Sequence, residues 1–211
     1  MKAKQERSAR TLERLITSAA QLFADRGFVR ATLGDVSVAA GVTKGALFFH
    51  FATKDDLADA VQMRGQEICE AAIRSIARRE ELSLQVLIDA THELNRLLRE
   101  DPFVRASVRI TRERGSGAGA PSDFYPLWLG RLWELLDEAR RKNELDGQVA
   151  DGSARTLVTA AVSGVEVLAS MGVPADEGDA WLTRLWELFL PLLVPPGDPH
   201  QVRTMAFTDL P

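Results

Sequence analysis

Between Thr43 and Lys54 the chain spaces hydrogen-bonding and cationic side chains as a short helix would need them to touch a polyanion: Thr43, Lys44, His50 and Lys54, with Gly45 and Ala46 among them. A threonine hydroxyl beside the open backbone N–H groups of a helix start suits a phosphate. The ammonium of Lys44 would reach acceptors on guanine, and small residues at positions 45 and 46 would let the backbone come close to base edges. His50 and Lys54 would follow the phosphate backbone. The same stretch, VTKGALFFHF, holds three phenylalanines and a leucine. Leu47 and Phe51, four apart, are expected in the core. Phe48 and Phe49 fall on the flanks, where one of them could rest on sugars or a thymine methyl.

Such a helix acts only if other elements hold it out. Thr32 with Asp35 reads as a capping box opening LGDVSVAAG, which Gly41 ends; Thr43 opens the next helix, and Thr53 with Asp56 forms a second box before a long one. Two short helices joined at AAGVT have the dimensions of a helix-turn-helix, whose second member enters a major groove. Gly41 stands where the chain reverses and a left-handed conformation is needed. Upstream, Leu12, Leu15, Ile16, Ala19, Leu22 and Phe23 recur at helical steps and Gly27 supplies the stop. Helical periodicity continues through the segments starting at Leu82, Pro102, Phe124, Ser153 and Asp179, with a Gly/Ala/Ser-rich flexible break at 115 to 122. The expected fold class is all-α.

Charge is segregated along the chain. Residues 1 to 54 carry nine Lys/Arg against four Asp/Glu, so +5, whereas the remainder carries 17 against 26, so −9. A basic front end on an acidic body fits a protein that meets a polyanion with one end only. The single cysteine, Cys69, leaves no disulfide framework and no cysteine set for zinc, so a reducing cytoplasm is the expected compartment. No stretch approaches the roughly 18 apolar residues of a membrane span, and neither export nor a membrane anchor is expected.

The composition argues against catalysis. Histidines occur at 50, 92 and 200 alone, and there is no nucleophile elbow, phosphate loop or His-Glu metal pair. His92 and Asp89 stand three apart on a helical pattern, which reads as an ordinary surface pair. No catalytic residue, metal ligand or cofactor is assigned. A helical enzyme on a small apolar metabolite is the remote alternative.

The run TLGDVSVAAGVTKGALFFHFATKDDL resembles the DNA-binding signature of the tetracycline-repressor family, without a gap from about Thr11 to Leu57. The resemblance rests on Thr32, the Ala40-Gly41-Val42 turn, Gly45, His50-Phe51, Lys54 and Leu57. It implies a homodimeric, all-helical repressor with three N-terminal helices for DNA and a larger body for ligand and dimer contacts. Position by position, Thr32, Thr43, Lys44, Phe48, His50 and Lys54 match the family's usual DNA-contacting positions. The family commonly has tyrosine where this chain has Phe48, so an apolar contact replaces a phosphate hydrogen bond there. GVTKGALFFHFATKDDLA is similar in particular to the γ-butyrolactone-receptor branch of streptomycetes.

The expected division is a DNA-binding domain at 1 to 54, a ligand-binding and dimerisation domain at 55 to 195, and a disordered tail at 196 to 211. FVRASVRI, which contains Val104, and WLGRLWELLDEARRKNEL resemble segments of the same branch, with Trp128 at the position of the tryptophan that packs on the signalling lactone. A pocket needs apolar walls and a few polar groups to fix orientation. Phe124 would add to the walls, and Thr91, Thr159 and Ser163 are hydroxyls on otherwise apolar helices that either face a ligand or bond their own helix. The small-residue helix TLVTAAVSGVEVLASMG and the broad apolar face of WLTRLWELFLPLLV look like the dimer surface. The implied function is repression at an inverted-repeat DNA operator, released by a γ-butyrolactone, butenolide or furan signal and controlling antibiotic biosynthesis. Repression of an efflux gene by a multidrug-type regulator is the alternative.

Overall fold

The computed structural model describes residues 2–114, 124–195 and 202–205. Among the described residues nine α-helices and no strand occur: α1 (Lys2–Arg26), α2 (Leu33–Ala39), α3 (Lys44–His50), α4 (Lys54–Ala77), α5 (Ser83–Glu100), α6 (Pro102–Arg114), α7 (Phe124–Arg141), α8 (Asp151–Ser170) and α9 (Ala175–Leu193). Each segment that repeats apolar residues at three- and four-residue steps is helical, as expected from periodicity. The expected break at 115 to 122 lies outside the described residues. Among the described residues no helix is long and apolar enough to cross a membrane.

The chain forms two compact units. The first comprises Met1–Ile68 and Asp101–Leu127, the second Cys69–Glu100 and Trp128–Pro211. This division differs from a boundary at residue 54, because α6 packs along α1 and belongs to the unit that carries the two short helices. In that unit Leu15, Ala19, Phe23, Val36, Leu47, Phe51, Leu57, Val61 and Ile110 form one buried cluster. The apolar positions of α1 thus anchor α2 and α3 from behind, and α6 packs along α1 and adds Ala106 and Ile110 to the same cluster. Burial of such side chains, worth about 1.5–3 kcal/mol each, is what holds helices of seven residues that would not persist alone.

In the second unit α5, α8 and α9 pack on one another. Trp181 of α9 lies over Gly164 of α8 so closely that a β-carbon there would stand 2.5 Å from the indole. Arg155 of α8 pairs with Asp137 of α7 at 3.0 Å, and Arg140 of α7 with Asp151 of α8 at 2.7 Å. Disorder of the whole stretch beyond residue 195 is not what is found. Arg203 and Thr204 make hydrogen bonds to α5, whose polar side chains take up their backbone groups, whereas 196–201 and 206–211 lie outside the described residues.

Candidate DNA-binding interface

Capping defines where each short helix begins. Asp35 N–H donates to Thr32 Oγ1 at 3.1 Å, and Thr32 N–H returns a bond to Asp35 Oδ2 at 3.0 Å, so the capping box read from the sequence is present. The Thr32 hydroxyl donates to the same carboxylate at 2.7 Å. These hydrogen bonds, the side-chain one foremost, hold the Asp35 carboxyl below its usual range. The second box is also formed: Asp56 N–H donates to Thr53 Oγ1 at 3.0 Å and Thr53 N–H to Asp56 Oδ2 at 2.9 Å.

The turn between α2 and α3 reverses at Gly41, with φ +61°. Val42 N–H donates to Ser37 O at 3.0 Å and Gly41 N–H to Val38 O at 3.0 Å, which closes α2. At that dihedral a residue with a β-carbon is strained, and the β-carbon would also meet the end of the Arg14 side chain at 2.8 Å, so glycine suits the turn.

α3 then divides by direction. Thr43 caps it, accepting from Ala46 N–H at 3.2 Å, which leaves its hydroxyl proton for an outside acceptor. Leu47 (1% exposed) and Phe51 are buried, as their spacing required, whereas Phe48 (54%) and Phe49 (80%) stand in solvent. Thr43, Lys44 and Gly45 are exposed and His50 is half-buried. A β-carbon on Gly45 would find no heavy atom nearer than Thr43 Oγ1 at 3.9 Å, so the helix surface is open there. The Lys44 chain crosses toward Gly34 of α2, its Nζ 4.0 Å from where a β-carbon at that glycine would sit. Phe49 packs edge-to-face on His50, with centroids 5.1 Å apart.

Lys54 is engaged more closely than the sequence suggested. Its ammonium donates to Val29 O at 3.2 Å and lies 4.3 Å from the centre of the Phe28 ring. One of its three protons therefore ties the start of α4 to the loop after α1, while the charge stays at the surface. The grip of α6 on the end of α1, the loop after it and the start of α4 was not read from the sequence at all. Arg109 donates to Ala24 O at 3.0 Å at the end of α1, Glu113 accepts from Val29 N–H at 2.7 Å, and Arg114 pairs with Asp55 at 2.7 Å and Asp59 at 2.6 Å. Arg109 and Glu113 are visible in sequence as an i,i+4 pair, but their distant partners are not.

The residues assigned to a ligand fall in different units, Val104 and Phe124 in the first, Thr91, Trp128, Thr159 and Ser163 in the second. Val104, Phe124 and Trp128 are buried, as pocket walls or core would be. The hydroxyls behave otherwise. Thr91 donates to Ile88 O at 2.7 Å and accepts the Trp186 indole N–H at 3.0 Å, and Thr159 donates to Arg155 O at 2.7 Å on its own helix. Ser163 is exposed on α8. The reading of His92 and Asp89 as a surface pair is overturned: both are buried, and His92 Nδ1 lies 3.0 Å from Asp179 Oδ1 of α9. Among the described residues no group of three or more acidic, histidine or cysteine side chains could hold a metal ion.

Two short capped helices set at a glycine turn, with the second presenting a threonine, a lysine and a bare glycine, define a helix-turn-helix DNA-binding module on an all-helical chain. Residues 15–61 match the model of the bacterial regulatory proteins of the tetR family. The chain is 28% identical over 212 residues to the A-factor receptor protein of Streptomyces griseus, covering 99% of this chain and 72% of that one. A solved γ-butyrolactone receptor, described as ArpA-like, superposes with a TM-score of 0.66 at 31% identity, over 90% of this chain and 91% of that chain. The TetR-family protein CprB from Streptomyces coelicolor, solved with its biological operator sequence, superposes with a TM-score of 0.67 at 29% identity, over 90% of each chain. The chain belongs to the tetR family of bacterial regulatory proteins, in its γ-butyrolactone-receptor branch. These relatives are transcriptional regulators and not enzymes.

Proposed function

We propose that this regulator is a repressor that occupies an inverted-repeat operator as a homodimer and leaves it when a small signal of γ-butyrolactone, butenolide or furan type binds. The observation that carries the DNA half of this reading is the two-sidedness of α3, with Leu47 and Phe51 buried beneath an outer face of Thr43, Lys44, Gly45 and Phe48. On that face Lys44 reads an acceptor edge, Gly45 lets the helix sit close, Phe48 contacts a methyl or sugar, and Thr32, Thr43, His50 and Lys54 meet phosphates. In a dimer the two α3 helices would enter successive major grooves about 34–36 Å apart.

Dimerisation by α8 and α9 is supported by what they leave uncovered. Val167 on α8 and Met171 at its C-cap, and Leu188 and Leu192 on α9, are large apolar side chains exposed on a single chain. Ser163, exposed on the same helix as Val167, fits that face better than a ligand pocket. Trp128, buried in the second unit, remains the proposed apolar wall for the signal. A signal acts only through different affinities for two states; moving 99% competent protein to 1% takes about 10⁴-fold, or roughly 5.5 kcal/mol.

The test is retardation of DNA from upstream of the protein's own gene at physiological salt, repeated with butyrolactone, butenolide and furan compounds and with antibiotics. Specific retardation that one of the first three abolishes is expected. Absence of any specific complex would end the repressor reading, and release by antibiotics alone would replace its signal class. Trp128→Phe should keep operator affinity while raising the signal concentration needed for release; an alanine there would cost about 3–5 kcal/mol of stability and blur the result.

A further inference from the structure

One face of α5 is polar although it is buried. Gln85, Asp89, His92 and Asn95 follow one another at three- and four-residue steps, and all four are buried. A helical face of this kind in a protein interior must be matched by partners. Two groups of partners cover it, both within the second compact unit: the short segment 202–204 and the first turn of α9.

The segment is gripped through its backbone as well as its side chain. Arg203 N–H donates to Gln85 Oε1 at 2.7 Å, and Gln85 Nε2 donates back to Arg203 O at 3.3 Å, so one side-chain amide satisfies both backbone groups of one residue, as a neighbouring strand would. Gln85 Nε2 also donates to Asp89 Oδ1 at 2.8 Å. The Arg203 guanidinium bonds Glu80 and reaches Asp89 Oδ2 at 3.4 Å. His92 donates from Nε2 to Thr204 O at 2.9 Å. Burial, the largest influence, raises the Asp89 carboxyl above its usual range, and the Gln85 bond and the Arg203 charge offset part of that rise.

His92 and Asn95 carry the connection onward. His92 Nδ1 lies 3.0 Å from Asp179 Oδ1, and Asn95 Nδ2 donates to that same oxygen at 2.8 Å and to Ala175 O at 3.0 Å. Arg99, one turn further, donates from Nε to Val173 O at 2.9 Å. The imidazole thus has the segment on one nitrogen and α9 on the other.

We propose that the polar face of α5 is a peptide-docking groove whose occupant is the chain's own Val202-Arg203-Thr204 segment, and that this docked peptide is a latch fixing the start of α9 to α5. The groove recognises an extended peptide by pairing its backbone with Gln85 and His92, and it selects arginine by placing Glu80 and Asp89 around the guanidinium. The idea is independent of which operator or signal the protein uses.

Hydrogen exchange and trypsin on the full-length protein test it. Trypsin must lift Arg203 out of the groove to cut the bond to Thr204. That cleavage is expected to be at least about tenfold slower in the unmodified protein than in Gln85→Ala, and the Arg203 amide to exchange correspondingly slowly. In Arg203→Ala, which takes the guanidinium from Glu80 and Asp89 and changes no residue of α9, the amides of Ala175–Asp179 should exchange about tenfold faster while those of α1 do not change. Equal cleavage in the unmodified protein and Gln85→Ala would overturn docking. Unchanged exchange across Ala175–Asp179 in Arg203→Ala would overturn the latch even if docking stood. Arg203→Lys keeps the charge and loses the planar fork, and exchange intermediate between the other two proteins is expected; exchange as fast as in Arg203→Ala would remove charge from the recognition.

Discussion

Glu113 accepts the backbone N–H of Val29 at 2.7 Å, with 84 positions of sequence between them. The same carboxylate takes the Arg109 guanidinium at 2.9 Å, and Arg109 in turn donates to the carbonyl of Ala24. The end of α6 therefore holds the segment that leads from α1 into the DNA-binding helices. Gly27 permits the approach, since at φ +92° a β-carbon would stand 2.5 Å from Glu113 Oε1.

Glu113→Ala leaves Val29 N–H without its carboxylate and removes the partner of Arg109. A loss of about 1–3 kcal/mol in urea unfolding is expected, from the stranded donor and the lost charged bond. Operator affinity should fall as well, on every sequence alike. An unchanged urea midpoint would mean that water serves Val29 as well as the carboxylate does.

The two lysines at the interface should separate by kind of effect. Lys44→Ala is expected to weaken discrimination by about 1–3 kcal/mol at one base position, because it would remove the proposed contact with a base edge. Lys54→Ala should lower affinity for all sequences and reduce the salt slope by about one, and through loss of its bond to Val29 O it should also lower the melting temperature. Competition binding to single-base operator variants at several salt concentrations measures both.

Asp35 gives the α2 cap a dependence on pH. Hydrogen bonds from Thr32 depress its folded pKa below the unfolded value, so the stability it contributes is present above the unfolded pKa of about 3.9 and is lost as pH falls through the depressed folded value. Asp35→Asn should remove that acid-side loss. Urea midpoints of both proteins between neutral pH and about pH 2 are the measurement, and parallel curves would contradict the assignment.

Thr91 is a structural hydroxyl in this fold. It donates to Ile88 O and accepts the indole proton of Trp186, both fully inside the second unit. Thr91→Val should strand that indole proton at a cost of about 1–3 kcal/mol and leave the signal concentration for release unchanged. A shifted signal response at unaltered stability would restore Thr91 to a ligand role.

Much of this arrangement was legible in the chain itself. The capping boxes at Thr32 and Thr53, the reversal at Gly41, and the inward Leu47 and Phe51 are local or periodic properties, set by residues within a turn or two of each other. So is the helical character of each long segment, because a stripe at three- and four-residue steps has one physical solution. What tertiary structure alone decided lies between residues far apart in sequence. His92 and Asp89 read as an ordinary surface pair until Arg203, Thr204 and Asp179 were found upon them. The hold of Glu113 and Arg114 on residues 29, 55 and 59 left no local trace, and the same is true of Lys54 resting on Phe28. Periodicity tells which side of a helix turns away from water, but the identity of what covers a polar side depends on how the chain closes over long loops, and a linear pattern carries no record of that.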